Sequence, residues 1–156
     1  MNWKIKSIDL EICKRYFSAS AEELAKNNAK IITVKEKLTA PCRLSLKDLE
    51  PGDKAILLNY EHYNVNSPYK SIGPVFVGLN SQQVSLKNNS LPEIILPERR
   101  FSIRSNDENF MMIFAEIVLG KDVHNYISEH LKNTKIKYMQ VHFAAPGCWI
   151  FDIVKC

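Results

Sequence analysis

The sequence predicts an α+β fold: one domain over residues 1–156, built on a mainly antiparallel sheet of about six or seven strands with two helices. Three observations lead there. Segments rich in β-branched or alternating apolar residues recur along the whole chain. Helical periodicity is confined to two separated stretches, so strands adjoin strands and the strand–helix alternation of a doubly wound sheet is missing. A chain of 156 residues with 46% hydrophobic composition suits one domain with a real core.

The elements follow in order. Trp3 to Ile8 alternates apolar and polar residues and reads as a strand. Leu10, Cys13 and Phe17 are spaced for one or two helical turns. Ser20-Ala21-Glu22-Glu23 is a capping box: the Ser20 hydroxyl accepts from the Glu23 amide while the Glu23 carboxylate reaches back. That helix closes near Asn27. Lys30 to Val34 is a strand, Glu50-Pro51-Gly52-Asp53 a turn, and Lys54 to Tyr60 a strand whose parity puts Ile56, Leu58, Tyr60 and His62 on one face. Asn64 to Ile72 is a polar loop, Val75 to Leu79 a strand, and Asn80 to Ser90 an exposed loop. Arg100 to Arg104 is a strand. Phe110 to Leu119, apolar on both faces, is expected at the centre of the sheet. Asp122 caps a helix with a stripe at Val123, Tyr126, Ile127, His130 and Leu131. Ile136 to Phe143 and Cys148 to Val154 are the last strands.

Burial suggests a register for that last hairpin. Pairing His142 with Cys148, Gln140 with Ile150 and Tyr138 with Asp152 leaves Val141–Trp149, Met139–Phe151 and Lys137–Ile153 on the other, almost wholly apolar face. His142 and Cys148 are then cross-strand neighbours on a polar face, with Tyr138, Gln140 and Asp152 behind them.

Composition excludes several function classes. A net charge of +4 with scattered lysines gives no basic stripe for nucleic acid. The first ten residues lack the apolar core of a secretory signal, and Phe110 to Leu119 is too short and too interrupted, by Glu116, to cross a membrane. A cytoplasmic protein is expected. Its four cysteines, Cys13, Cys42, Cys148 and Cys156, have no CxxC spacing and read as free thiols.

Pro41-Cys42-Arg43, Leu46…Asp48…Pro51-Gly52, Leu57-Leu58-Asn59-Tyr60-Glu61-His62, Ser67-Pro68-Tyr69, Gly73 to Val77, Met111-Met112 and His142 to Cys148 together resemble a bacterial family known only as domain of unknown function 1203. The helix Ala21 to Lys26 and the segment Ala115 to Gly120 also fit. The resemblance spans nearly the whole chain and implies a single domain, with no activity to carry over. Two positions depart from it: Phe143, where family tails tend to carry asparagine, and Gly78, where a charged residue or histidine is common.

Four sets of residues offer chemistry. Cys42 precedes Arg43, whose positive charge favours a thiolate, and His62 or His142 would serve as its base; the competing reading is a small buried hydrophobe beside a structural arginine. Cys42, His62, His142 and Cys148 have the ligand types of zinc, but the short spacings of zinc knuckles are missing. The Tyr60 to Gly73 loop brings Tyr60, His62, Ser67, Tyr69 and Lys70 around a proline-stiffened turn suited to a small polar or anionic ligand; its tyrosines would equally pack on a sheet edge. Glu116, if buried, needs Arg99, Arg100 or Arg104 as a partner.

The expected function is recognition of a small polar or anionic ligand by the 41–77 segment and the 138–152 hairpin, through Arg43, Tyr60, Ser67, Tyr69 and Gln140. The alternatives are a thiol/histidine enzyme using Cys42 or Cys148 with His62 or His142, and a protein-interaction module without a pocket. The sequence leaves the oligomeric state and the cofactor open, with zinc disfavoured, and predicts neither a nucleic-acid nor a membrane partner.

Overall fold

The computed structural model describes residues 1–156. Eight strands form two antiparallel sheets. The larger sheet has the order β1-β8-β7-β5-β6, from Trp3–Lys6 (β1), Arg100–Asn106 (β5), Met112–Leu119 (β6), Tyr138–Phe143 (β7) and Trp149–Lys155 (β8). The smaller has the order β2-β3-β4, from Ala29–Thr33, Lys54–Tyr63 and Ser71–Gly78. The α+β class and the antiparallel pairing agree with expectation, and the strand count is close to it. The division into two sheets is new.

The helices are three and short: α1 (Leu10–Phe17), α2 (Ala21–Lys26) and α3 (Val123–His130). Asp9 caps α1, accepting from the Glu11 amide at 2.9 Å. The capping box of α2 forms as the sequence requires, with Ser20 Oγ and Glu23 each bonding the other's backbone N–H. Asp122 makes no cap; it closes a 3₁₀ turn, Gly120–Asp122, that leads directly into α3. Pro74 lies inside β4 rather than in the preceding loop, as an edge strand of the small sheet permits.

Two cores result. One joins a face of the large sheet (Phe101, Ile103, Val141, Phe151) to Val123, Ile127 and Leu131 of the α3 segment. The other joins the small sheet (Ile56, Leu58, Val75, Val77) to Cys13, Tyr16 and Leu24 of α1 and α2, and takes in Trp149 from β8. Trp149 is thus where the second sheet meets the first.

The last hairpin has a different register from the one burial alone suggested. Gln140 faces Asp152, Tyr138 faces Val154 and His142 faces Trp149; Cys148 lies in the turn. The shift is two residues at Gln140 and Tyr138: the pairing starts one residue later, at Trp149 instead of Cys148, and a bulge adds the other. Val141 faces Phe151 and His142 faces Trp149, so Ile150 is the extra residue on β8. Ile150 and Phe151 both enter the large core, while Trp149 swings to the side of His142. Tyr138, Gln140, His142 and Asp152 still share a face, but it is not open to water: Gln140 and His142 are buried.

β6 is an edge strand, not the central one its double-sided apolar pattern suggested. Residues 113–117 are all exposed. Glu116 is among them, so it needs no buried partner, and Arg99 pairs with Asp48 instead, at 2.8 Å.

Candidate functional site

The segment after Pro41 is a tight turn laid along the edge of β4. The Cys42 amide donates to Lys47 O, Leu46 N–H returns to Cys42 O, and Arg43 N–H donates to Phe76 O at 2.8 Å. Cys42 and Phe76 form a parallel bridge. Cys42 is the last bridged residue and Arg43 the first of the turn, and the two side chains part company. Cys42 is fully buried in the small-sheet core with Leu44 and Val77, and its sulfur accepts from the Gly78 amide at 3.2 Å and the Ser45 amide at 3.5 Å. It is sealed, with two N–H donors. Burial, helped by the Cys42 sulfur, pushes the nearby Cys13 thiol up to about 12.

Arg43 reaches across to the last hairpin. Its Nε donates to Trp149 O at 2.7 Å and its Nη1 to Pro41 O. The guanidinium lies 5.3 Å from the Phe143 ring centroid, and that of Arg99 lies 5.5 Å from the same ring. Arg43 is 1% exposed, yet it has no carboxylate within ion-pair distance; Asp48 is held by Arg99. Burial lowers the Arg43 pKa to about 10; the opposing pull comes first from Cys148, then from Cys42 and Asp48. A buried cation whose only partners are two carbonyls and an aromatic face lacks compensation for its desolvation.

This cation is part of the wall of a cavity of about 400 Å³, between the start of the Pro41 turn and the β7–β8 turn. Arg99 and Arg100 line it with Arg43, the half-buried Cys148 sits in its wall, and Phe76, Phe143 and Pro146 supply apolar surface. No carboxylate lines it. Arg99 is neutralised by Asp48, which leaves two guanidinium groups without a carboxylate, those of Arg43 and Arg100; with a thiol and apolar walls they are suited to an anion with a hydrophobic body.

Behind the cavity is a buried aromatic and polar seam between the sheets. His62, near the end of β3, stacks flat on Trp149, with ring centroids 5.7 Å apart and planes 9° apart. It meets His142 edge-on at 5.4 Å and 79°. The Tyr60 ring lies 5.5 Å from Trp149. The Trp149 indole N–H donates to Asp152 Oδ1 at 2.8 Å, and Gln140 Nε2 donates to the same oxygen at 3.3 Å. Burial raises Asp152 to about 6. It lowers His62 to about 4, aided by the charges of Arg104 and Arg43, and His142 to about 3. Both imidazoles are therefore neutral. His142 Nδ1 lies 3.0 Å from Gly147 O, and a carbonyl only accepts, so Nδ1 carries the proton and Nε2 presents a lone pair. That Nε2, His62 Nδ1 and the Tyr138 hydroxyl are buried without partners.

The residues singled out in the sequence therefore divide into three places. Arg43 and Cys148 meet at the cavity. Tyr60, His62, Gln140 and His142 lie in the seam. Ser67 and Tyr69 go elsewhere: Ser67 Oγ donates to Phe110 O at 3.1 Å at the approach to β6, Tyr69 is exposed, and Lys70 pairs with Glu61. Cys42 stays in the core. No group of three or more His, Cys, Asp or Glu side chains is placed to hold a metal ion, so Cys42, His62, His142 and Cys148 do not form a zinc set. Arg99, Arg100 and Phe143, which line the cavity, do not stand out in the sequence as ligand-binding. The one signal was the Arg99-Arg100 pair at the mouth of a strand.

The profile of the family described as Protein of unknown function (DUF1203) matches residues 39–155, three quarters of the chain. The chain belongs to the DUF1203 family. The DUF1203 match takes in Arg43, Arg99, Arg100 and Cys148, along with the whole seam, and leaves out β1, α1, α2 and β2. No curated protein and no solved structure matches the chain. The two departures from the DUF1203 pattern have physical readings. Phe143 offers its ring to two guanidiniums. At Gly78 an added Cβ would run into Ser81 Oγ and the Leu49 side chain, so no larger residue fits without moving them.

Proposed function

We propose that this DUF1203 protein binds a small anionic molecule with an apolar body, seated between the Pro41–Arg43 segment and the tip of the β7–β8 hairpin. The observation that carries the reading is Arg43, a buried guanidinium without a counter-ion in the wall of a carboxylate-free cavity. An anion bound there supplies the missing charge and can bond the guanidinium in the paired geometry that arginine favours. Arg100, which has no carboxylate partner, adds attraction, and Phe76 and Phe143 contact the body of the ligand. Residues 1–156 act as one globular domain in this reading, supported by the pairing of β1 with β8 across the chain's two ends. A cytoplasmic setting is part of the same reading; all four cysteines are free, and no helix is long and apolar enough to cross a membrane.

The test is thermal unfolding with and without phenyl phosphate. A saturable rise in Tm is expected; a ligand at one hundred times its Kd adds about 2.7 kcal/mol of stability. Arg43→Gln abolishes the rise. Arg104→Gln, whose guanidinium does not line the cavity, keeps it. The absence of a saturable response in the wild type, or an equal response in both variants, overturns the reading.

A second reading, an interaction module, is favoured by β6. Its outer edge has no strand neighbour, and Phe110, Met111, Ile113, Phe114 and Ile117 are exposed along it and just before it. The opposite edge, β1, carries Lys4 and Lys6 and is covered by Asn89, which exchanges two bonds with the Trp3 backbone. With only one edge of the large sheet open, antiparallel pairing of β6 with β6 of a second copy closes at two chains.

A further inference from the structure

We infer that Cys148 is a modification site, at which acid-bearing disulfides drawn into the arginine-lined cavity form a mixed disulfide with the protein. The inference rests on the anion-binding reading and adds to it a covalent fate and a class of reactant.

The four thiols of the chain are placed very differently. Cys13 and Cys42 have no exposure at all. Cys156 is exposed, outside any described cavity. Cys148 alone stands in a cavity wall, half-buried, on the turn of the β7–β8 hairpin. Its sulfur makes one weak contact, 3.9 Å from Pro146 O, so no strong bond need break before it reacts. The thiol by itself would say little. The second observation is Arg43, which is 99% buried, lacks a counter-ion and shares the cavity wall with Cys148. Arg43 Nε bonds the carbonyl of Trp149, the residue after Cys148, so the guanidinium is tied to the same turn that carries the thiol.

The chemistry is thiol–disulfide exchange. The Cys148 thiolate attacks one sulfur of the incoming disulfide. A new S–S bond forms to Cys148, the old S–S bond breaks, and the other half leaves as a thiolate that takes a proton from water. Cys148 is oxidised and the departing half is reduced, so no further oxidant is needed. The cavity contributes through the charge of the reagent: its cations raise the local concentration of an anionic disulfide, and the apolar walls accept its body. A neutral disulfide of the same shape gains only the second effect. The long Arg43 contact network also fixes the β7–β8 turn, because Trp149 O, one residue beyond Cys148, is the acceptor of Arg43 Nε.

The experiment compares dithiobis(nitrobenzoate), a dianionic aromatic disulfide, with dithiodipyridine, its uncharged counterpart. Cys156→Ser leaves Cys148 as the reporting thiol, and Cys148→Ser leaves Cys156. The expected result is a rate ratio, anionic over neutral, about tenfold higher at Cys148 than at Cys156. High salt and Arg100→Gln should each lower it, and mass spectrometry should find the adduct on the peptide containing Cys148. Equal ratios at the two thiols, or no reaction at Cys148, overturn the inference. Phenyl phosphate binding to Cys148→Ser separates the two readings. If it binds there while Cys148 shows no preference for the anionic reagent, the anion site stands and the thiol role falls. If it binds neither the wild type nor Cys148→Ser, the anion reading falls, and the thiol role with it.

Discussion

Between the two sheets the protein buries polar groups, and along β6 it exposes apolar ones. Arg43, Gln140 and His142 are almost inaccessible, whereas Ile113, Phe114 and Ile117 are 43%, 44% and 54% exposed. The contrast shows that position in the layers, rather than hydropathy, decides what is inside. The polar face of the β7–β8 hairpin is covered because the second sheet and Trp149 come down on it. The side chains of β6 are open on both faces from 113 to 117, and its outer backbone edge has no strand neighbour. Buried polar groups need partners, and the seam is only partly satisfied: Asp152 has two donors, while His142 Nε2, His62 Nδ1 and the Tyr138 hydroxyl have none.

The sharpest way to break the inner region is at its hinge residue. Trp149 stacks on His62, packs near Tyr60, bonds Asp152 and supplies the carbonyl for Arg43. Trp149→Ala removes the indole from the junction of the sheets and leaves Asp152 with Gln140 as its one donor. The expected loss is about 3–5 kcal/mol in urea denaturation, the usual cost of truncating a buried aromatic. A loss below about 1 kcal/mol would mean that the two sheets are held together elsewhere.

The second effect is a pH dependence set by the same seam. Unfolded histidines bind a proton near pH 6.5, whereas the folded values are about 4 for His62 and about 3 for His142. As pH falls below 6.5 the unfolded chain gains two protons that the folded chain refuses, so stability declines. Asp152 acts in the opposite sense: raised from 3.8 to about 6, it takes its proton first in the folded state and offsets one of the two. Between about pH 6 and 4 these three groups leave a net excess of one proton in the unfolded state. Stability then falls by up to about 1.4 kcal/mol per pH unit. His142→Phe brings the slope near zero in that window, read as the urea midpoint against pH. An unchanged slope would show that His142 is charged in the fold.

Much of the fold was legible where it depends on near neighbours. The capping box at Ser20 and Glu23, the α3 stripe and the parity that puts Tyr60 and His62 on one side of β3 all follow from spacing, and all appear. What depends on distant chain was not legible. A double-sided apolar run is equally consistent with a central strand and an unprotected edge, and only the sheet order separates them. Register by burial assumes regular strands, and the bulge at Ile150 overturns it. The candidate site was legible by halves. Arg43 and Cys148 could be named, but whether Arg43 sides with Cys42 or with the far hairpin was decided by its contact with Trp149 O, 106 residues away.

The outer region should respond least in stability and most in association. Ile117 and Ile103 lie on neighbouring strands of the same sheet, yet Ile103 is fully buried and Ile117 is more than half exposed. Ile103→Ala should cost about 2–5 kcal/mol. Ile117→Lys should change the stability of the monomer by no more than about 0.5 kcal/mol, because its side chain loses little contact on replacement. The lysine nevertheless places a charge where a second β6 would pair, the device that β1 already carries at Lys4 and Lys6. Sedimentation velocity across a concentration series should therefore show wild-type dimer that the Ile117→Lys chain lacks, while phenyl phosphate still raises the Tm of both. Monomer at every concentration in the wild type removes the interaction reading, and the exposed row on β6 then stands as a tolerated edge. A variant that loses both the dimer and the ligand response would instead join the two regions, making the open edge part of how the arginine cavity is held.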